Sequence, residues 1–276
     1  MLTYETQTTR ESAQTDYGLG FQEPIRALIL GARGGVGEAL ASMILASNER
    51  NRVILSSRYP ELSVHSERGA DTFAWLCLDI THQEEWPSFV ERVNQQLHSW
   101  GGSLNLVINA TGLLHRAAEG GESELAPERS LASLNLETMT QLFAVNTFGV
   151  ALALRFLTPL FPRAKRSLFV SFSARVGSIG DNRIGGWYSY RASKAAQNML
   201  IKTAAIELAR TKKDCVCVSV HPGTVATPLS APFTKSVKHH VFSASESAAH
   251  LMKVFEQLTT DRSGECIAWD GTTISP

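Results

Sequence analysis

Seven short apolar runs constrain this chain more than any other feature. They occupy residues 25–30, 53–56, 73–78, 104–108, 168–172, 216–220 and 266–269, and each is nearly continuous in apolar character. Runs of that length and character fit strands covered on both faces, where no side chain has to meet water. Residues 35–48, 83–99, 137–160, 190–210 and 244–258 lie between them and space their apolar side chains as helices do. Strands that alternate with helices imply right-handed crossovers and a parallel sheet with helices on both faces. The expected fold class is therefore α/β, a doubly wound domain with a seven-stranded, mainly parallel sheet.

No internal repeat, low-complexity segment or Pro/Gly linker divides the pattern, so residues 24–276 read as one domain. A chain of 276 residues is long enough to bury roughly three quarters of its unfolded surface around one core. Residues 1–23 are polar, carry Glu5, Glu11 and Asp16, and read as a flexible or loosely docked tail. That tail has no apolar core of the secretory kind. Lysine plus arginine and aspartate plus glutamate number 26 each. A balanced chain lacks the basic excess that general nucleic-acid binding requires.

The cysteines, at 77, 215, 217 and 266, form no C-x-x-C and have no suitably spaced histidine pair. No metal site is expected, and the compartment reads as reducing and cytoplasmic. Cys215 and Cys217 alternate within an apolar run, as two residues on one strand face do. The most apolar stretch, 142–161, is interrupted by Asn146, Thr147 and Arg155, which suits a buried or interface helix rather than a membrane span.

The first apolar run leads into Gly31-Ala-Arg-Gly-Gly35-Val-Gly37, at the start of the first helix pattern. A tight turn, close backbone approach to a pyrophosphate and close helix packing all require glycine there. The helix N-terminus adds free N–H groups and partial positive charge. Taken alone the cluster could be an ordinary turn; its place at the first strand-to-helix junction favours a Rossmann-type dinucleotide site. The spacing G-x-x-x-G-x-G resembles that of the short-chain dehydrogenase/reductase family. Leu30 stands where that family usually has threonine.

What the resemblance implies can be followed along the chain. Gly31, Gly35, Val36 and Gly37 would hold the cofactor phosphates. The second strand ends in Ser56-Ser57-Arg58, without the acidic residue that would take a ribose 2′-hydroxyl. Arg58 can meet a 2′-phosphate, with Arg33 as a second charge; a solvated surface arginine is the alternative for each. NADP(H) is therefore expected ahead of NAD(H). Asp79 and Ile80, after the third strand, would contact the adenine, although Asp79 also suits a helix N-cap. Asn109-Ala110-Thr111-Gly112 is similar to the family's N-N-A-G and would place Asn109, Ala110 and Gly112 beside the adenosine. Pro222, Gly223, Val225 and Thr227, after the sixth strand, resemble the nicotinamide loop; a Pro-Gly turn with a capping threonine is the plainer alternative.

Tyr190-Arg-Ala-Ser-Lys194 sets Tyr190 and Lys194 on one helix face. By resemblance Tyr190 is the proton donor for carbonyl reduction and Lys194 both favours its phenolate and holds the nicotinamide ribose. Ser173 would donate to the substrate oxygen. Ser171 points to the same strand face, and Ser173 is chosen because it lies nearer the C-terminal edge. Asn146 would complete a water-linked proton path at a helix kink; the alternative is a buried amide tying its helix to neighbouring backbone. The segments Gly177 to Asn182, Gly185 to Arg191, Thr227 to Phe233 and Trp269 to Gly271 are similar to those of the C-factor-like and sniffer-like reductases.

The expected activity is NADP(H)-dependent reduction of an aldehyde or ketone. A cofactor-binding signalling protein with incidental turnover, or an alcohol oxidation, are the alternatives. His115, Arg116, Trp187, Phe233, His239 and His240 can line the substrate side, though surface or packing roles are plainer for each. The resemblance further implies a homodimer or homotetramer through the helices at 137–160 and 190–210, a small-molecule carbonyl or alcohol substrate, and no nucleic-acid or membrane partner.

Overall fold

The computed structural model describes residues 18–59, 71–116, 125–236 and 239–276. Residues 1–17 of the expected tail lie outside them. Among the described residues, the strands are β1 (Arg26–Leu30), β2 (Arg52–Ser57), β3 (Phe73–Cys77), β4 (Leu106–Asn109), β5 (Ser167–Phe172), β6 (Cys215–His221), β7 (Cys266–Ala268) and β8 (Thr273–Ile274). These eight form one sheet in the order β3-β2-β1-β4-β5-β6-β7-β8. The first seven pair in parallel and match the seven apolar runs; β8 pairs antiparallel with β7. The sheet thus has one strand more than expected. Two residues after a turn at Gly271, with one side chain exposed, carry no periodicity to read.

The helices are α1 (Gly35–Ser47), α2 (Trp86–Ser99), α3 (Leu136–Phe143), α4 (Gly149–Leu157), α5 (Tyr188–Thr211) and α6 (Ala244–Gln257). Side chains alternate along each strand, so the sheet feeds two cores. Ile29, Val170, Phe172 and Val218 pack with Leu40 and Ile44 of α1 and Leu251 and Phe255 of α6. Leu28, Val107, Phe169, Cys215 and Cys217 pack with Phe89 of α2, Leu157 of α4 and Ile201 of α5. Each fully buried Leu, Ile or Phe contributes about 1.5–3 kcal/mol. The two cysteines do share a face.

Two further differences have local causes. Leu19 and Phe21 are buried in the first core, so the chain from Gly18 to Glu23 is docked through these two side chains. Arg166 holds them, with its Nε 3.0 Å from the Leu19 carbonyl and its guanidinium 5.7 Å from the Phe21 ring centre. The helix expected at 137–160 is broken by a π-helical turn, Ala144–Phe148. By length and composition Leu136–Leu160 could cross a membrane. In this fold its Leu142, Val150, Ala153 and Leu157 are core residues.

The strand order reverses direction between β1 and β4, which creates a crevice at the carboxyl ends of the strands, where ligands bind in open α/β sheets.

Candidate active site

The turn after β1 is built for close approach. Gly31 has φ 77°, and a Cβ there would lie 2.9 Å from the Thr111 nitrogen and 3.0 Å from the Ala110 carbonyl carbon. A Cβ on Gly37 would lie 2.9 Å from the Gly31 oxygen. The amides of Gly31 and Ala32 both donate to the Ser56 carbonyl, at 2.9 and 3.0 Å. The glycine turn is thereby tied to the end of β2, two residues before Arg58. Helix α1 then starts at Gly35 with no side-chain cap, so its first-turn N–H groups are available to an anion. Val36 is buried in the first core, which leaves its backbone for such a role. Leu30 is buried, and its carbonyl accepts from Ala110 N at 2.9 Å.

Arg33 and Arg58 are both exposed at this end. Asp79 accepts from the Thr81 N–H at 2.9 Å and the Thr81 hydroxyl at 2.7 Å. Burial works against its charge, but these bonds, with His82 and Arg58, hold its carboxyl below the usual range. Its side chain therefore braces its own turn, and no helix cap is made by it. Ile80 is buried against Gly149, where a Cβ would come within 2.5 Å of Cδ1. Asn109 is fully buried, donates to Ser171 Oγ at 3.2 Å and accepts from the Thr111 hydroxyl at 2.6 Å. Gly112 is the next residue, and a Cβ there would lie 3.9 Å from Asn146 Oδ1.

The loop after β6 closes the crevice from the other side. Gly223 has φ 84° and a Cβ there would lie 2.7 Å from the Phe242 ring. The Pro222 carbonyl accepts from Ser247 at 2.7 Å, and Val225 forms a β-bridge with Phe242. Thr227 Cγ2 lies 3.6 Å from where a Gly35 Cβ would be, so the phosphate turn and this loop meet. The site fits a dinucleotide at its glycine cradle, its uncapped helix start and its two exposed arginines.

Tyr190 and Lys194 sit in the first two turns of α5, and both are buried. Burial pushes the Tyr190 phenol above its ordinary range and lowers Lys194 to about 7, with Cys266 partly offsetting the latter. Lys194 Nζ donates to the Phe172 carbonyl at 2.7 Å and to Gln197 Oε1 at 2.8 Å, and lies 6.0 Å from the Tyr190 ring centre. Desolvation dominates both groups.

Gln197 is a site residue that sequence reasoning missed. Its Nε2 donates to Ser171 Oγ at 3.1 Å and to the Phe172 carbonyl at 3.1 Å. A buried polar chain thus runs from Asn109 through Ser171 and Gln197 to Lys194. The only available signal was a glutamine at an inward position of a helix, three residues after Lys194.

Ser173 directly follows the last residue of β5. Its hydroxyl donates to Asn198 Oδ1 at 2.8 Å, eight residues and about 12 Å of helix rise beyond Tyr190. Ala174, two residues after β5, packs against the cluster that contains Tyr190. Ser171 and Ser173 share a strand face, and that face meets α5 at Gln197 and Asn198. Asn146 lies in the π-helical turn, fully buried. Its Oδ1 accepts from Leu113 N, and its Nδ2 donates to Leu113 O, both at 2.8 Å, and to Ser193 Oγ at 3.1 Å. The helix distortion is present, and the amide ties it to the backbone after β4.

Glu128 was also missed. Its carboxylate accepts the Ser189 hydroxyl and, at 3.2 Å, the Ser189 N–H. A negative group is thus placed on the N-terminal turn of α5, where the helix dipole favours it. The partners are 61 residues apart, beyond any local pattern. Of the residues named for the substrate side, Trp187, Phe233 and His115 do come together near Tyr190. His239 instead bonds Thr224 at 2.8 Å, and His240 faces Glu246 at 3.6 Å.

Residues 26–238 match the family model for the short chain dehydrogenase. The 1-hydroxy-2-glutathionyl-2-methyl-3-butene dehydrogenase of Rhodococcus sp. is 33% identical over 71% of this chain and 76% of its own length. The C-signal protein of Myxococcus xanthus is 27% identical over 52% of this chain and 82% of its own. Among solved structures, the carbonyl reductase Sniffer of D. melanogaster superposes with a TM-score of 0.76 at 20% identity, covering 92% of this chain and all of that one.

Proposed function

The chain belongs to the short-chain dehydrogenase/reductase family, and on that premise we propose that it is an NADP(H)-dependent reductase of aldehydes or ketones. The observation that carries the reading is the placing of buried Tyr190 and Lys194 on one face of α5, with Lys194 anchored to the last residue of β5. That is the same carboxyl edge of the sheet to which the glycine turn belongs.

Gly31, Gly35 and Gly37 with the first turn of α1 would hold the pyrophosphate, and Arg58 with Arg33 the 2′-phosphate. Asp79, Ile80, Asn109, Ala110 and Gly112 would flank the adenosine; Pro222, Gly223, Val225 and Thr227 would flank the nicotinamide. Hydride donation and acceptance are the chemistry a bound nicotinamide supplies. The chain's part is the proton. Burial keeps Tyr190 protonated at neutral pH, which is the form needed to donate to a carbonyl oxygen. Asn146 locks the backbone after β4 against the π-helical turn, and Gln197 fixes where Lys194 points.

Phe148, in the turn joining α3 to α4, and Met199 and Ile206, on α5, are exposed. Such a surface suits a homodimer or homotetramer through these helices. The thiols at 77, 215, 217 and 266 are all free, in keeping with a cytoplasmic setting. Oxidation of NADPH across a panel of aldehydes, ketones and quinones tests the reading. Turnover of at least one class is expected; none with any class contradicts it.

A further inference from the structure

Tyr190 is packed against an aromatic wall, and one of its members is held in a costly conformation. Trp187 meets Tyr190 edge-on, with ring centres 6.1 Å apart, and meets Phe233 at 4.9 Å. His115 meets the other side of the wall, 5.5 Å from Phe233. Leu114 and Leu142 are buried behind Tyr190. The wall is made by two separate segments: Trp187 precedes α5, and Phe233 lies in the 3-10 turn Ala231–Ser236 after β6.

Trp187 has φ 51° and ψ 42°, the left-handed region that bulky residues avoid. Gly185 and Gly186 before it have φ 69° and 66°, so three successive residues are left-handed and only two of them are glycine. Glycine at 187 would take the same backbone without strain. What the position supplies is therefore the indole. The surroundings fix it in place. Trp187 N donates to the Glu128 carbonyl at 2.6 Å. Arg191, next to Tyr190 on α5, donates to the carbonyls of Gly186 at 2.9 Å, Gly185 at 3.1 Å and Val176 at 3.2 Å. The loop that carries the indole is thus clamped to the helix that carries the proton donor.

We propose that the substrate is an aryl carbonyl compound, a ketone or aldehyde with an aromatic ring on the carbonyl carbon. Its ring packs against Trp187 and Phe233 and its oxygen lies at the Tyr190 hydroxyl. The proposal rests on the reductase reading above. An array of rings meeting edge to face offers an incoming aromatic ring favourable quadrupole contacts, which a saturated ring of equal size does not gain. Reduction adds a hydride, with its electron pair, from reduced dinucleotide to the carbonyl carbon. The oxygen takes the Tyr190 proton, the product is the secondary or primary benzylic alcohol, and the phenolate left on Tyr190 is reprotonated from water.

The test compares methyl phenyl ketone with methyl cyclohexyl ketone, which have the same number of carbons. NADPH oxidation is measured with the wild-type protein, Trp187→Gly and Phe233→Leu. Conjugation alters intrinsic reactivity, so the readout is the change on substitution in the phenyl-to-cyclohexyl ratio of kcat/KM. We expect that ratio to fall about tenfold in Trp187→Gly and about threefold in Phe233→Leu, the scale of one or two aromatic contacts. A thermal melt accompanies each variant. Phe233→Leu, on the partly exposed side of the wall, keeps the test decisive if the other variant misfolds. An unchanged ratio in the folded variants overturns the aryl assignment. So does wild-type turnover confined to aliphatic carbonyls, which leaves the reductase reading standing. No turnover of any carbonyl overturns both.

Discussion

Ser173 Oγ donates to Asn198 Oδ1 at 2.8 Å, on the face of α5 two turns past Tyr190. Its neighbour Ala174 has no hydroxyl and packs in the Tyr190 cluster. Tyr190 is thus the hydroxyl donor at the reacting carbonyl in this account, and the Ser173 hydroxyl is engaged with Asn198.

Ser173→Ala should leave kcat/KM within about twofold. It removes one partly buried hydrogen bond, worth about 1 kcal/mol of stability. Ala174→Ser should raise kcat, by about tenfold if the new hydroxyl reaches the substrate oxygen; well-placed donors of this kind are worth more. Steady-state NADPH oxidation and urea melts check both. Loss of turnover in Ser173→Ala would return that residue to the chemistry.

Lys194 should make stability depend on pH. Burial holds it at about 7, against an ordinary 10.5. Between those values the folded protein has shed a proton that the unfolded chain retains. Unfolding therefore takes up a proton, and stability rises with pH across that window. Relative to Lys194→Met, the wild type should gain about 2 kcal/mol between pH 7 and pH 9. Gln197→Leu removes an acceptor from the charged form, so the rise should begin at lower pH. Urea midpoints at several pH values read both effects; parallel curves for wild type and Lys194→Met would count against a perturbed lysine.

Gly31→Ala should uncouple the cofactor end from the fold as a whole. The left-handed backbone costs an alanine about 1–2 kcal/mol, and the new Cβ would meet backbone at 2.9 Å. The turn must open, and NADPH affinity should fall at least tenfold while the far-ultraviolet spectrum stays native-like. Tight NADPH binding to this variant would separate the turn from the phosphates.

The parallel strands were legible because strands buried on both faces read as continuous apolar runs. All seven runs fall on β1 to β7 to within two residues at each end. What stayed hidden was set by contacts distant in sequence or by geometry without a period. The π-helical turn at Asn146 keeps the same apolar spacing as the helix around it. Glu128 and Ser189 meet across 61 residues. Strand alternation could not separate Ser171 from Ser173, and the structure turns both toward α5, at Gln197 and Asn198. Leu19 and Phe21 sit in a segment too short and polar to show a pattern, yet both are buried. At the site, glycine spacing and the Tyr190–Lys194 interval were readable because each is local. The direction in which Lys194 points depends on Gln197 and on the end of β5, and only the fold brings those together.

Arg58 should set the choice of dinucleotide. It is exposed just past β2, beside the carbonyl that anchors the glycine turn. Arg58→Leu should weaken NADPH roughly tenfold, the scale of one charge-assisted contact, and leave NADH nearly unchanged. Titration of both cofactors by fluorescence checks this; equal losses for the two would point to a role outside the 2′-phosphate.

The most direct measurement is Tyr190→Phe, which removes one oxygen from a buried site and keeps the ring packed against Trp187. Binding of NADPH and steady-state turnover of a carbonyl substrate accepted by the wild type are measured together. The account predicts unchanged NADPH affinity and a loss of at least about a hundredfold in kcat, the scale of a positioned proton donor. Wild-type turnover in this variant would contradict it.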